Sequence, residues 1–120
     1  MNTVIRDGKV AVLISYGFGS GFYTWGAPDE ALFDPKLVEL VESRDFDGAE
    51  EYVMNTYPDV YTGGVRNLVV VWIDEGEEFT INEYDGNESI EFKNETEWIT
   101  AYDRKYLKEL FLNLKNNKKN

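Results

Sequence analysis

Cysteine and histidine are both absent from these 120 residues. Without cysteine there is no disulfide, no thiolate nucleophile and no cysteine-ligated zinc. Without histidine the commonest proton carrier near neutral pH is missing. Most hydrolase mechanisms are therefore hard to write for this chain. Positive charge is scarce: 12 basic residues face 23 acidic ones, a net charge of −11. Three of the lysines (Lys115, Lys118, Lys119) stand in the tail "KNNKKN", so residues 1–114 carry −14. Such a surface repels a nucleic-acid backbone, and DNA binding is not expected. Long apolar runs are missing too. No window reaches the length of a membrane span, and "MNTVIRDGKVAV" lacks the apolar stretch of a secretory signal. No membrane partner is expected.

What the chain does hold is apolar and aromatic residues, at 42% and 15%. That is enough for one folded core, and 120 residues are too few for two. The expectation is a single α+β domain over residues 1–114, with residues 115–120 a disordered tail. "KVAVLISY" reads as a buried strand. In "FDPKLVELVESRD", Asp34 is placed to cap a helix that begins at Pro35, with Leu37, Val38, Leu40 and Val41 on its apolar face. "DGAEEYVMNTYP" reads as a second helix, with Asp47 and Glu50 at capping-box spacing and Pro58 closing it. "NLVVVWID" is a continuous apolar strand, expected at the centre of the sheet. "EEFTINEYD" and "ESIEFK" form a hairpin about Asp85-Gly86. Phe79, Ile81 and Glu83 share one face of its first strand. "DRKYLKELFLNLK" carries Tyr106, Leu107, Leu110, Phe111 and Leu114 at helical spacing, which predicts a terminal helix packed on a mainly antiparallel sheet.

The stretch "ISYGFGSGFYTWGAP" combines four glycines with five aromatic rings. It begins like a dinucleotide fingerprint, but Phe22 stands where the third glycine belongs, and Pro28 rules out the helix that should follow. It also lacks the Gly-Lys-Ser/Thr ending of a phosphate loop. Two readings remain. In one, Gly17, Gly19 and Gly21 let backbone N–H groups approach a ligand while rings stack on it, with Ser20 and Thr24 as hydroxyl partners. In the other, the loop is a turn whose rings fill the core beneath it.

Two further clusters carry chemistry. Glu83, Asp85 and Glu88 flank the hairpin turn and could bind magnesium, act as acid and base, read a guanine edge, or form a solvated tip. Their spacing is not that of a calcium loop. Arg66 follows Gly63-Gly64 and could fork onto phosphate or pair with a surface carboxylate. The sequons at Asn87 and Asn94 carry no weight without a secretory signal.

The blocks "VLISYGFGSGFYTWG", "YTGGVRNLVVVWIDEG" and "FTINEYDGNESI", the last followed by "WITA", resemble in this order a family of small phage proteins. These are the anti-CBASS sponges, which oppose cyclic-oligonucleotide-based antiviral signalling. The blocks cover most of residues 10–101. The resemblance implies a non-enzymatic protein that needs no cofactor and sequesters cyclic dinucleotides such as cyclic GMP–AMP in an infected bacterium's cytoplasm. It also implies a homo-oligomer with pockets between subunits. Independently, five rings in one loop are hard to cover within a monomer, and a tetramer is the expected form. By motif it makes Ser20, Tyr23, Thr24 and Trp25 the first ligand-binding residues, then Tyr84, Asp85 and Glu88, then Arg66. Phe22 and Tyr23 replace the Trp and Ser common at those family positions, which leaves open which ring stacks. The alternative from another class is an acidic inhibitor that mimics nucleic acid and covers a host defence enzyme. A metal-dependent nuclease using Glu83, Asp85 and Glu88 is a third.

Overall fold

β2 (Lys9–Ser15) is the strand on which the fold is assembled, with Ala11 to Ile14 all buried. In the computed structural model, which describes residues 2–93, it lies between β1 (Ile5–Arg6) and β3 (Leu68–Asp74) in an antiparallel sheet. The β2–β3 register pairs Lys9 with Asp74, Ala11 with Trp72 and Ser15 with Leu68. Asp7 and Gly8 turn β1 into β2 with positive φ at both residues, the geometry that suits a two-residue hairpin.

The alternation of β2 sends side chains into two cores. Ala11 and Leu13 face helices α2 (Pro35–Glu42) and α3 (Phe46–Thr56), meeting Leu37, Val38, Val41, Ala49 and Val53. Val12 and Ile14 face the opposite way, toward Leu32 of the short helix α1 (Asp29–Leu32) and toward a separate hairpin. That hairpin is β4 (Phe79–Tyr84) with β5 (Asn87–Phe92), turned at Asp85-Gly86 with φ of 48° and 83°. Its Phe79, Ile81, Ile90 and Phe92 lie against Val12, Ile14 and Ile73. A strand covered on both faces explains the unbroken apolar run of β2.

The architecture is α+β with small antiparallel sheets, as the sequence predicts. Asp34 caps α2 through Lys36 and Leu37 N–H groups at 2.9 and 3.2 Å, with Pro35 in the first turn. Three expectations need correction. The sheet is divided, with β4–β5 pairing as its own hairpin. Among the described strands β3 is not central: it pairs only with β2, whereas β2 has a neighbour on each side, and Val69 of β3 is exposed. α3 begins earlier than the capping-box spacing suggests. Asp45 is its cap, accepting from Gly48 N at 3.0 Å, and Asp47 lies in the first helical turn. The predicted C-terminal helix and the tail fall outside the described residues.

Candidate functional site

The glycine-rich loop leaves β2 at Ser15 and returns to α1 at Pro28, and Phe22 pins its middle to the core with no exposed surface. The N–H groups of Trp25 and Ala27 reach back to the Phe22 carbonyl, at 3.3 and 3.1 Å. Gly17, Gly19 and Gly26 hold φ of 144°, 107° and 113°, a region that side chains resist. Gly21 does not. A Cβ there would stand 2.6 Å from Trp25 Cδ1 and 2.8 Å from Thr24 Oγ1, so Gly21 is small to seat its own neighbours.

Glu88 decides the shape of this loop. Its side chain is 1% exposed. Oε1 accepts from Ser15 N at 2.7 Å. Oε2 accepts from Phe22 N at 3.1 Å and from both N and Oγ1 of Thr24 at 2.8 Å. A buried carboxylate needs such a set of donors to offset lost hydration. The loop's inward N–H groups thus surround an anion supplied by the chain itself. Two more contacts join the hairpin turn to the loop: Gly17 N donates to Asn87 Oδ1 at 2.9 Å, and Gly19 N to the Asp85 carbonyl at 2.6 Å. Ser15 Oγ donates to the Ser20 carbonyl at 2.6 Å.

Glycines make the remaining approaches possible. A Cβ on Gly86 would overlap the Ser20 backbone, and one on Gly64 would overlap the Gly21 carbonyl. The three sequence blocks therefore meet backbone to backbone at one junction.

The rings divide by depth. Phe18 and Tyr84, 66% and 78% exposed, form an edge-to-face pair with centroids 6.3 Å apart. Trp25 stacks on Tyr61 at 5.8 Å with an interplanar angle of 26°, and both remain exposed. Tyr16 is also exposed, whereas Phe22 belongs to the core. Tyr23 is half-buried, and its hydroxyl donates to Asp29 at 2.9 Å. That bond, with burial, raises the phenol's pKa.

Neither protein-family models, curated proteins nor solved structures give a match to this chain. The site is therefore read from its geometry.

Of the residues singled out in the sequence, Tyr84 and Trp25 present rings to solvent, and Ser20 lies at the junction with a hydroxyl that makes no hydrogen bond among the described residues. Asp85 is exposed at the turn with φ of 48°. Thr24 directs its hydroxyl inward to Glu88. Glu88 itself is corrected from ligand contact to internal anchor, since its oxygens are occupied and water is excluded. The acidic triad is likewise dispersed. Glu83 accepts from Gly86 N at 2.7 Å, while Glu88 is buried in the loop. No group of three or more acidic side chains among the described residues is arranged to hold a metal ion. Arg66 pairs with Asp47 and with Glu50, the latter at 2.8 Å, as the surface-pair alternative expected.

Sequence reasoning missed two features here. Tyr61 was not recognised as the ring beneath Trp25, a long-range contact that local spacing does not encode. The inward aim of Glu88 had a signal: it alternates with Ile90 and Phe92, so the strand period puts it on the core face.

Proposed function

We propose that this protein binds and sequesters a cyclic dinucleotide without cleaving it, in the cytoplasm of an infected bacterium. The observation that carries the reading is the junction itself. The three blocks that resemble the sponge family converge there, presenting Phe18, Tyr84, Trp25 and Tyr61 around a backbone tied to Glu88. Flat rings on a rigid support suit purines, and stacking is worth roughly 1–3 kcal/mol per base. The Ser20 hydroxyl provides a polar partner, while the N–H groups of Gly17 and Gly19 are already bonded to Asn87 and Asp85. The ring pairs would also be shared between subunits, since a homo-oligomer covers apolar surface that a monomer leaves open.

Equilibrium dialysis against a panel of cyclic dinucleotides, followed by heat denaturation and chromatography, tests this reading. The expected result is depletion of free ligand by the pure protein and recovery of intact nucleotide. Trp25→Ala should weaken binding by about 1–3 kcal/mol. Linear or monomeric products that vanish with chelator would instead establish a metal-dependent nuclease. The strongly acidic composition favours one rival reading, an inhibitor that covers a host enzyme. Blocking of the host pathway with ligand left free would establish that rival.

A further inference from the structure

A groove of about 590 Å³ lies beside β3, reaching from the loop to α2 and α3. Tyr16 lines it where the loop leaves β2, Trp72 lines it further along β3, and Arg44 and Arg66 line it as well. The size falls within the range of small-molecule sites. Its charge is unusual for this molecule. Two arginines and one carboxylate, Glu42, line it, in a span of residues 2–93 where six basic residues face nineteen acidic ones. Besides Arg44 and Arg66, Arg6 lies over the Trp72 ring, 5.1 Å from its centroid, and forks onto Glu42 at 2.7 and 2.9 Å.

The arginines are not equivalent. Arg6 is paired with Glu42, and Arg66 with Asp47 and Glu50. Both pairings raise the guanidinium pKa and fix the fork in place. Arg44 is exposed and has no carboxylate partner among the described residues. It also sits in an unfavourable conformation. Just past the end of α2 its φ is 60°, at the position where helices usually carry glycine. Any residue with a Cβ is strained at this glycine position, which points to a use for the Arg44 side chain.

We propose that this groove is an anion site for nucleotide phosphate, with Arg44 as its anchor, Arg66 as a pre-positioned second cation, and Tyr16 and Trp72 flanking the ligand. The choice of nucleotide rests on the reading given under Proposed function. Arg44 offers a forked donor that matches a phosphate's oxygens, and among the described residues no ion pair has to break first. The flanking rings accept a base or sugar face. Because the Glu88 carboxylate already fills the inward donors of the loop, the phosphates are placed on the arginine side instead.

Arg44→Gly separates ligand contact from folding, since glycine suits φ of 60° and should hold or raise Tm. The full-length variant and wild type are titrated calorimetrically with 3′3′-cyclic GMP–AMP and the other cyclic dinucleotides. The expected result is a loss of affinity of roughly tenfold to hundredfold in Arg44→Gly, with partial retention in Arg44→Lys. Equal affinity in wild type and Arg44→Gly would overturn the groove as phosphate site and leave the sponge reading intact. If wild type binds no cyclic dinucleotide, the sponge reading fails. The groove is then judged by adenosine monophosphate, followed by NMR at the Trp72 indole and Arg44 side-chain N–H groups. Saturable shifts at both in wild type, with the Trp72 shift lost in Arg44→Gly, support the site; no saturable shift in wild type, or a Trp72 shift unchanged in Arg44→Gly, overturns it.

Discussion

Glu88 reverses the usual expectation for an acidic residue near a hairpin turn. Its carboxylate sits where a core side chain would be, and four donors from a distant part of the chain converge on it. Hydrogen bonds to a charged group are each worth about 1.5–3 kcal/mol, and stranding buried donors costs more than the bond contributes. Glu88→Gln keeps the shape but presents an amide NH₂ to N–H groups. It should cost about 3 kcal/mol in urea unfolding. Amide exchange should then accelerate at Phe22 and Thr24 while Val12 and Val71 in the β2–β3 ladder stay protected. Unchanged exchange in the loop would remove Glu88 as its anchor. The glycines make a second residue-scale contrast. Gly64 has φ of −89°, an ordinary value, yet its Cβ position overlaps the Gly21 carbonyl. Gly8 has φ of 75° with nothing within 4 Å. Gly64→Ala should therefore cost about 1–3 kcal/mol through displaced backbone. Gly8→Ala should cost only conformational strain, on the order of 1 kcal/mol. Thermal unfolding of the two variants checks the ranking, and equal losses would contradict the close approach.

The helices depend on a second carboxylate used in a different way. Asp34 gives Oδ1 to the start of α2 and Oδ2 to the hydroxyls of Tyr52 and Tyr57, at 2.8 and 2.6 Å. One side chain thus ties the α1–α2 junction to the end of α3. Burial and the bond to Asp34 raise both phenol pKa values, Tyr57 most strongly. A raised phenol pKa in the folded state means that its contribution is intact below the ordinary value of about 10 and declines as pH climbs above it. Stability should be flat from neutral pH to about 10 with respect to these groups, then fall on the alkaline side. Tyr57→Phe should lose about 1.5–3 kcal/mol at pH 7 and show a weaker alkaline decline. Denaturation curves at pH 7, 9 and 11 test both the size and the sign. An alkaline decline unchanged in Tyr57→Phe would locate the sensitivity elsewhere.

At the scale of the whole molecule the exposed rings and the outer edge of β3 set what the chain can do with other molecules. Phe18, Tyr84, Trp25 and Tyr61 lie at the surface near the junction, and Val69 is exposed on β3. With a net charge of −11, copies of the chain repel at low salt, so apolar contact has to overcome that repulsion. A homo-oligomer assembled through these rings should therefore strengthen as salt rises. A DNA-like electrostatic complex would weaken instead. Light scattering across a salt series, with and without cyclic dinucleotide, reads the outcome. Phe18→Ser with Tyr84→Ser should lower the assembled fraction while leaving the core intact, because neither ring is buried. A monomer under all conditions would end the oligomer proposal.

Local chemistry alone determined a good part of this molecule. Asp34-Pro35 set the start of α2, the period of Leu37, Val38 and Val41 set its buried face, and Asp85-Gly86 set the hairpin. These signals lie within a few residues of what they specify, so they can be read along the chain. The rank of β3 could not be read that way. Two strands with equally apolar runs look alike along the chain, and only the long-range pairing shows that β2 has a strand on each side while β3, among the described strands, has β2 alone. Nor could the purpose of the glycines, since Gly64 and Gly86 are small because backbone from the loop presses on them. Glu88 shows both limits at once. Strand alternation assigned its face, but only the folded chain brought Ser15, Phe22 and Thr24 within reach of its oxygens. A charge can be buried when its donors are assembled around it, and those donors come from residues more than sixty positions away.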